Sequence, residues 1–386
     1  MSYLGRPMAK GDVIKLKAHH FKDEVTGTEV IRLTDNIGDT IHPYFTQPLF
    51  SSDGETILVV SNRTGWWQLY RLDIPDAEMQ QLTEDADIKP QCPCLDGKKM
   101  IAYYWDGRYL KSVDLETLEV DMIYVTPQGF KPGILSLSSD GRYLAFAYTE
   151  KVSLSTLKGR AYSGFLEHMF LRPRSVVMVI DLKRGEAIPA WGENAWISHV
   201  NICPTNPDIV LFCHEGPWHL VQRMWVVRVS THEVWPLVKQ RRYVERVGHE
   251  FFMPNGTVVA QYGRRSTPSS NDWVYYDLFV KPDGSGLRMY KYPWLPPAHI
   301  KTNSKGDKAV GDRCYPNPSF KEGHAYIGLV EYLKDGKVNL KPLCRHDTSW
   351  NTQETHPHPI FTPDDKNVIF VSDREGNCNV YMVPVD

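Results

Sequence analysis

The sequence predicts an all-β fold, a single seven-bladed β-propeller. Three observations predict it. A turn signal recurs at nearly constant spacing. Each recurrence opens a set of short apolar strands. The strand missing from the last set is found near the N-terminus.

The turn signal is Ser51-Ser52-Asp53-Gly54, then Leu95-Asp96-Gly97, then Ser138-Ser139-Asp140-Gly141, and in the last repeat Thr362-Pro363-Asp364-Asp365. The first three aspartates lie 43 and 44 positions apart. Asp-Gly between two apolar runs marks a hairpin, because glycine readily takes the positive φ that such turns need.

Each repeat then continues alike. A polar turn leads to a third strand ending in aspartate, as in residues 68–73, 110–114 and 176–181. A fourth strand follows, as in 80–83 and 187–191. Four short strands in about 40–50 residues make one propeller blade. Seven repeats are present, with innermost strands starting near Thr46, Lys89, Gly133, His199, His249, His299 and His358. The competing arrangement, a tandem of β-sandwiches, does not account for a repeat this long.

The last repeat stops at its third strand, residues 380–385. Residues 29–34, Glu-Val-Ile-Arg-Leu-Thr, resemble 79–83, the fourth strand of the first repeat. They are expected to complete the last blade and remove two open sheet edges. The expected organisation is one domain over 1–386, with 1–25 as an N-terminal segment and 29–34 as the closing strand. Helical periodicity is confined to the insertion at 150–174.

Composition narrows the function. The 44 basic and 46 acidic residues leave a net charge of −2, without the basic excess of a general nucleic-acid binder. A hydrophobic fraction of 42% suffices for a core. No apolar stretch is long enough for a membrane-spanning helix, and residues 1–23 lack a signal-peptide core. The seven cysteines include no CxxC pair and suit reduced thiols in the cytoplasm.

Histidine placement points to a site. Four of the seven inner-strand entries carry histidine: His199, His249, His299 and the pair His356 and His358. Equivalent positions on successive blades are expected to converge on one mouth of the channel. His356 and His358 share a face of an extended strand, and Gln353 precedes them by three. Imidazoles with an oxygen donor suit Mn, Fe, Ni or Zn rather than Ca. A hydrogen-bonded polar channel is the metal-free alternative. Cationic side chains are expected nearby: Arg223 and Arg63 in equivalent hairpins, Arg374, and Lys301 just after His299. Guanidinium groups grip carboxylates bidentately. Trp66, Trp67, Trp218 and Trp225 offer faces for sugar rings or for packing.

Two runs carry a family resemblance: Cys213-His214-Glu215-Gly216-Pro217-Trp218-His219 and Gln353-Glu354-Thr355-His356-Pro357-His358-Pro359. With Val247-Gly248-His249-Glu250-Phe251 and His299, they make the chain resemble the oligogalacturonate lyases, a cytoplasmic β-propeller pectate lyase family, over nearly its whole length. Residues 41–45 depart from the family pattern.

The resemblance implies metal-dependent β-elimination of short α-1,4-linked oligogalacturonides in pectin catabolism. Digalacturonate and its Δ4,5-unsaturated form are the expected substrates, and 5-keto-4-deoxyuronate the product. It implies a divalent ion, typically Mn²⁺, held by His299, Gln353, His356 and His358. It implies His249 as base and Arg223 in the substrate site; these two are the expected catalytic residues, Arg223 as a clamp on the uronate carboxylate. Near the same mouth, Arg63, His199, His214 and Lys301 are the expected substrate contacts. The competing reading is a non-enzymatic scaffold propeller. A propeller-linked peptidase is excluded, since the chain has no Gly-x-Ser-x-Gly elbow.

Overall fold

The computed structural model describes residues 2–3, 6–154, 164–315 and 325–386. Among them are seven antiparallel sheets of four or five strands, the number and strand order expected of seven blades. They fall into two compact units. The first comprises Met1–Tyr124, Pro297–Glu331 and Leu340–Asp386; the second comprises Val125–Pro296 and Tyr332–Asn339.

The recurring turn forms as the sequence expects at three of its four positions. Asp53, Asp140 and Asp364 each accept a side-chain hydroxyl and a backbone N–H two residues on, an Asx turn. The next residue takes positive φ: Gly54 at 79°, Gly141 at 65° and Asp365 at 61°. The Asp96-Gly97 turn differs. Its left-handed residue is Met100, at φ 56°. Gly97 is needed for another reason, because a Cβ there would lie 2.1 Å from the carbonyl oxygen of Phe50.

In the first unit, the strands Thr56–Ser61 and Asn367–Ser372 are buried nearly throughout. Both faces of such a strand are covered, so it reads as a continuous apolar run rather than an alternating one. One core cluster joins Ile41, Leu58 and Val60 to Leu95, Tyr104 and Val371. Another joins Val310 and Leu329 to Phe370, Tyr381 and Val30. The second unit repeats this pattern: Ala145, Val177 and Phe212 form one cluster, and Leu211, Val226 and Val258 another.

The closing strand forms as expected. Glu29–Arg32 pairs antiparallel with Asn379–Pro384, in the register Tyr381↔Arg32 and Met382↔Ile31. Val30 is fully buried there, worth roughly 1.5–3 kcal/mol. The segment before it also enters the sheets. His19–Lys22 adds a fifth strand outside Glu29–Arg32, and Val13–Lys15 pairs with Glu78–Gln81. In the 150–174 insertion one short helix, Phe165–Leu171, is present; residues 155–163 lie outside the described residues.

Candidate active site

Three of the expected ligands meet in the first unit. His299, His356 and His358 are all at least 96% buried, and their ligand nitrogens lie within 4.8 Å of one another. A bulge builds the support for them. The strands Lys308–Cys314 and Tyr326–Tyr332 slip register between Gly311 and Cys314. This turns Asp312 inward. Its Oδ2 accepts a hydrogen bond from His299 Nδ1 at 2.8 Å, and its Oδ1 accepts from the His299 backbone N–H at 2.8 Å. The His358 N–H donates to Oδ2 at 3.2 Å. Gly311 permits this approach, since a Cβ there would lie 2.5 Å from Pro297.

With the Nδ1 proton of His299 committed to Asp312, its Nε2 keeps the lone pair. Burial would raise the Asp312 carboxyl, but His299 outweighs it and holds the group below its ordinary value. Burial, reinforced by His299, pushes the His356 imidazole down to about 4, so its ring is neutral at pH 7. His356 Nδ1 is buried and has no hydrogen-bond partner among the described residues. Three convergent buried imidazoles, one of them with an orphaned nitrogen, are a donor set that a divalent transition-metal ion satisfies. Gln353 stands just before them and accepts from the His356 N–H through its backbone carbonyl, at 3.3 Å.

Aromatic rings fix the imidazoles. Tyr44 meets His358 edge-on at 5.0 Å, and Phe45 lies 5.5 Å from both His299 and His358. Trp350 packs 4.6 Å from His356. Tyr44 and Phe45 thus wall the histidine centre.

The second unit holds a charge cluster. Arg223 is 1% exposed. Its Nε donates to Glu250 at 2.9 Å, its Nη1 to Glu215, and its Nη2 to His199 Nδ1 at 3.2 Å. Burial opposes the charge of Arg223, but the surrounding acidic groups hold it firmly protonated. Glu250 is likewise depressed: burial raises it, and Arg223 and His199 outweigh that. The sequence casts Arg223 as an open clamp for a substrate carboxylate. In the structure, two protein carboxylates and an imidazole already engage all three of its nitrogens.

His249 lies on the strand Glu245–Phe252, where a second bulge falls between Gly248 and Phe251. The residue is left-handed, at φ 52°. Its Nδ1 pairs with Gln261 Oε1 at 2.9 Å, and Trp218 meets the ring edge-on at 4.7 Å. Gly248 makes room for that indole, because a Cβ there would sit 2.4 Å from Trp218. An amide oxygen can only accept, so Nδ1 carries the proton and Nε2 keeps a basic lone pair.

Of the remaining expected contacts, His214 pairs through Nε2 with Glu193 at 2.8 Å. Arg63 is ion-paired with Asp35 at 2.8 Å and its side chain is 4% exposed. Arg374 is held by Asp347 at 2.9 Å. Lys301 is half-buried, and burial pulls its ammonium down to about 8. Sequence reasoning missed Asp312 and Gln261, which lie one strand away from the histidines they orient. Glu215 and Glu250 stand inside the quoted motifs, yet their pairing with Arg223 has no sequence signal. All seven cysteines are free, and none of the described helices is long and apolar enough to cross a membrane.

The sheets and the buried imidazole centre define a histidine-centred β-propeller. The model of the oligogalacturonate lyase family matches residues 8–386. The chain belongs to the oligogalacturonate lyase family and is an enzyme, a lyase. It is 33% identical to the oligogalacturonate lyase of Dickeya dadantii (strain 3937) and 32% identical to the oligogalacturonide lyase of Pectobacterium atrosepticum, with 98% of each chain covered in both cases. A solved oligogalacturonate lyase in complex with manganese is similar in structure, with a TM-score of 0.85, 30% identity, and 98% of this chain and 99% of that one covered. The oligogalacturonate lyase structure from Vibrio parahaemolyticus is similar at the same TM-score and 29% identity. The fold is therefore a seven-bladed β-propeller, and the scaffold reading is set aside in favour of a lyase.

Proposed function

We propose that the enzyme carries out metal-dependent β-elimination of short α-1,4-linked oligogalacturonides, digalacturonate and Δ4,5-unsaturated digalacturonate among them, giving 5-keto-4-deoxyuronate in pectin catabolism. The observation that carries this is the convergence of His299, His356 and His358 on one buried point, oriented by Asp312. Gln353 completes the set on this reading, and the ion is Mn²⁺. When bound, the ion supplies a positive charge for a uronate carboxylate, which acidifies the neighbouring C5–H. The manganese-bound relative supports that choice.

The protein's own residues do the rest. His249 Nε2 takes the C5 proton, with its tautomer set by Gln261. The C5–H electron pair becomes the C4–C5 double bond, and the C4–O bond breaks with its electrons on the leaving oxygen, which takes up a proton. Arg223, His199 and Glu250 form a rigid hydrogen-bonded block, of which Glu250 is the chain neighbour of His249, and on this reading they set the field at the base. His214, Arg63 and Lys301 remain substrate contacts in this proposal. The working compartment is the cytoplasm, the partners are the oligogalacturonides rather than nucleic acid or membrane, and 1–386 acts as one domain.

The test is turnover of digalacturonate with Mn²⁺ or with EDTA, followed by keto-uronate release. Activity that EDTA abolishes and Mn²⁺ restores is expected. Turnover indifferent to EDTA would sink the proposal.

A further inference from the structure

The bulge that turns Asp312 toward His299 turns the next residue the other way. Arg313 is exposed, and it is left-handed at φ 52°. Its guanidinium lies over the Trp350 ring at 5.6 Å, and the same ring packs against His356 at 4.6 Å. One strand irregularity therefore places a carboxylate behind the imidazole centre and an arginine at its edge.

Arg313 borders a cavity of about 400 Å³, shared with Tyr315, His346, Asp347, Thr348 and Trp350. That is within the size range of small-molecule sites. Asp347 is the acid in the wall, and it is spoken for: Arg374 holds it at 2.9 Å and Arg345 at 3.8 Å. Arg313 makes no ion pair among the described residues. His346 is 1% exposed, and its Nε2 has no hydrogen-bond partner among the described residues. Asp347 and Trp350 are also left-handed, at φ 48° and 58°. Three non-glycine residues in this sparsely populated conformation on one cavity wall persist only because the surroundings impose them, and such strain gathers at binding sites.

An arginine held over an indole is restrained, and its guanidinium fork suits a planar anion. A sugar ring carrying a carboxylate offers both partners: a face for the indole and a fork for the guanidinium. We propose that Arg313 is a specificity-determining residue. It takes the carboxylate of a uronate residue lodged in this cavity, with Trp350 as the floor. This inference rests on the oligogalacturonide reading above and adds to it a site for a second uronate, apart from the histidine centre.

The test is equilibrium binding by calorimetry, using the manganese-loaded full chain in a His249→Ala background so that the ligand survives. Digalacturonate and its methyl ester are the probes. Adding Arg313→Ala is expected to weaken digalacturonate binding at least tenfold, with Arg313→Lys in between. The preference for free acid over ester should shrink by the same factor. Manganese content and the melting temperature serve as controls and should stay level. Unchanged digalacturonate affinity in Arg313→Ala, with the otherwise wild-type enzyme active, overturns this inference alone. Failure of the Arg313-intact protein to bind digalacturonate overturns it together with the lyase proposal.

Discussion

His249 Nδ1 lies 2.9 Å from Gln261 Oε1, across the strand pair whose register is Gly248↔Gln261. This contact holds the proton on Nδ1 and leaves Nε2 able to accept one. Gln261→Leu is expected to lower kcat about 10–100-fold while manganese content stays unchanged, since losing an orienting partner typically costs that much. Gln261→Glu adds a carboxylate, which favours imidazolium. The acid limb of the pH–rate profile should then move to higher pH. Steady-state kinetics across pH, with metal analysis alongside, decide it. An unmoved limb together with unchanged kcat would free His249 from Gln261.

On the proposed reading, Asp312 does for the metal centre what Gln261 does for the base. Asp312→Ala removes the acceptor of both His299 N–H groups. Manganese affinity should fall about 10–100-fold. Titration of the apo-protein with Mn²⁺ reads this directly, without any turnover. His356→Ala should lose the ion altogether, and retention of full affinity in either variant would contradict the ligand set.

Arg223 and Glu250 are both at most 1% exposed, so neither can be solvated if the other is lost. Glu250→Gln should destabilise the protein by about 3–5 kcal/mol, the usual cost of stranding one member of a buried ion pair. Chemical denaturation measures this. A change below about 1 kcal/mol would mean that Glu215 alone neutralises the guanidinium.

Asp277 is fully buried, with the hydroxyls of Tyr292 and Tyr332 donating to its Oδ2 at 2.6 and 2.8 Å. Burial outweighs both bonds and pushes its carboxyl up to about 7. Between pH 4 and 7 the folded protein keeps a proton that the unfolded chain releases, so stability falls as pH rises through this window. The raised value is worth roughly 4 kcal/mol across the window. Asp277→Asn should flatten that slope, whatever its overall effect on stability. Denaturation midpoints at pH 4, 5, 6 and 7 for both proteins check it, and parallel slopes would refute it.

The fold was legible because blades are local. Where the Asp turn occurs, the hairpin lies within a few residues of it, and the mostly apolar second strands report burial on both faces. Gly97 shows the limit of that reading. Its turn signal is real, but the glycine serves a contact with Phe50, which is far away in the sequence. The convergence of His299, His356 and His358 was legible because imidazoles are few and their spacing follows the blades.

The sequence by itself determined the seven repeats, the N-terminal strand that closes the last one, and the meeting of His299, His356 and His358. Local hydrogen-bonding rules and hydrophobic periodicity suffice for these. Only tertiary structure decided which nitrogen of His249 and of His299 carries the proton, that Arg223 is neutralised by Glu215 and Glu250, and that Arg313 lies over Trp350. Those outcomes depend on β-bulges and on partners one strand over. A one-residue slip in register exchanges the face a side chain occupies, and no single strand's sequence records it.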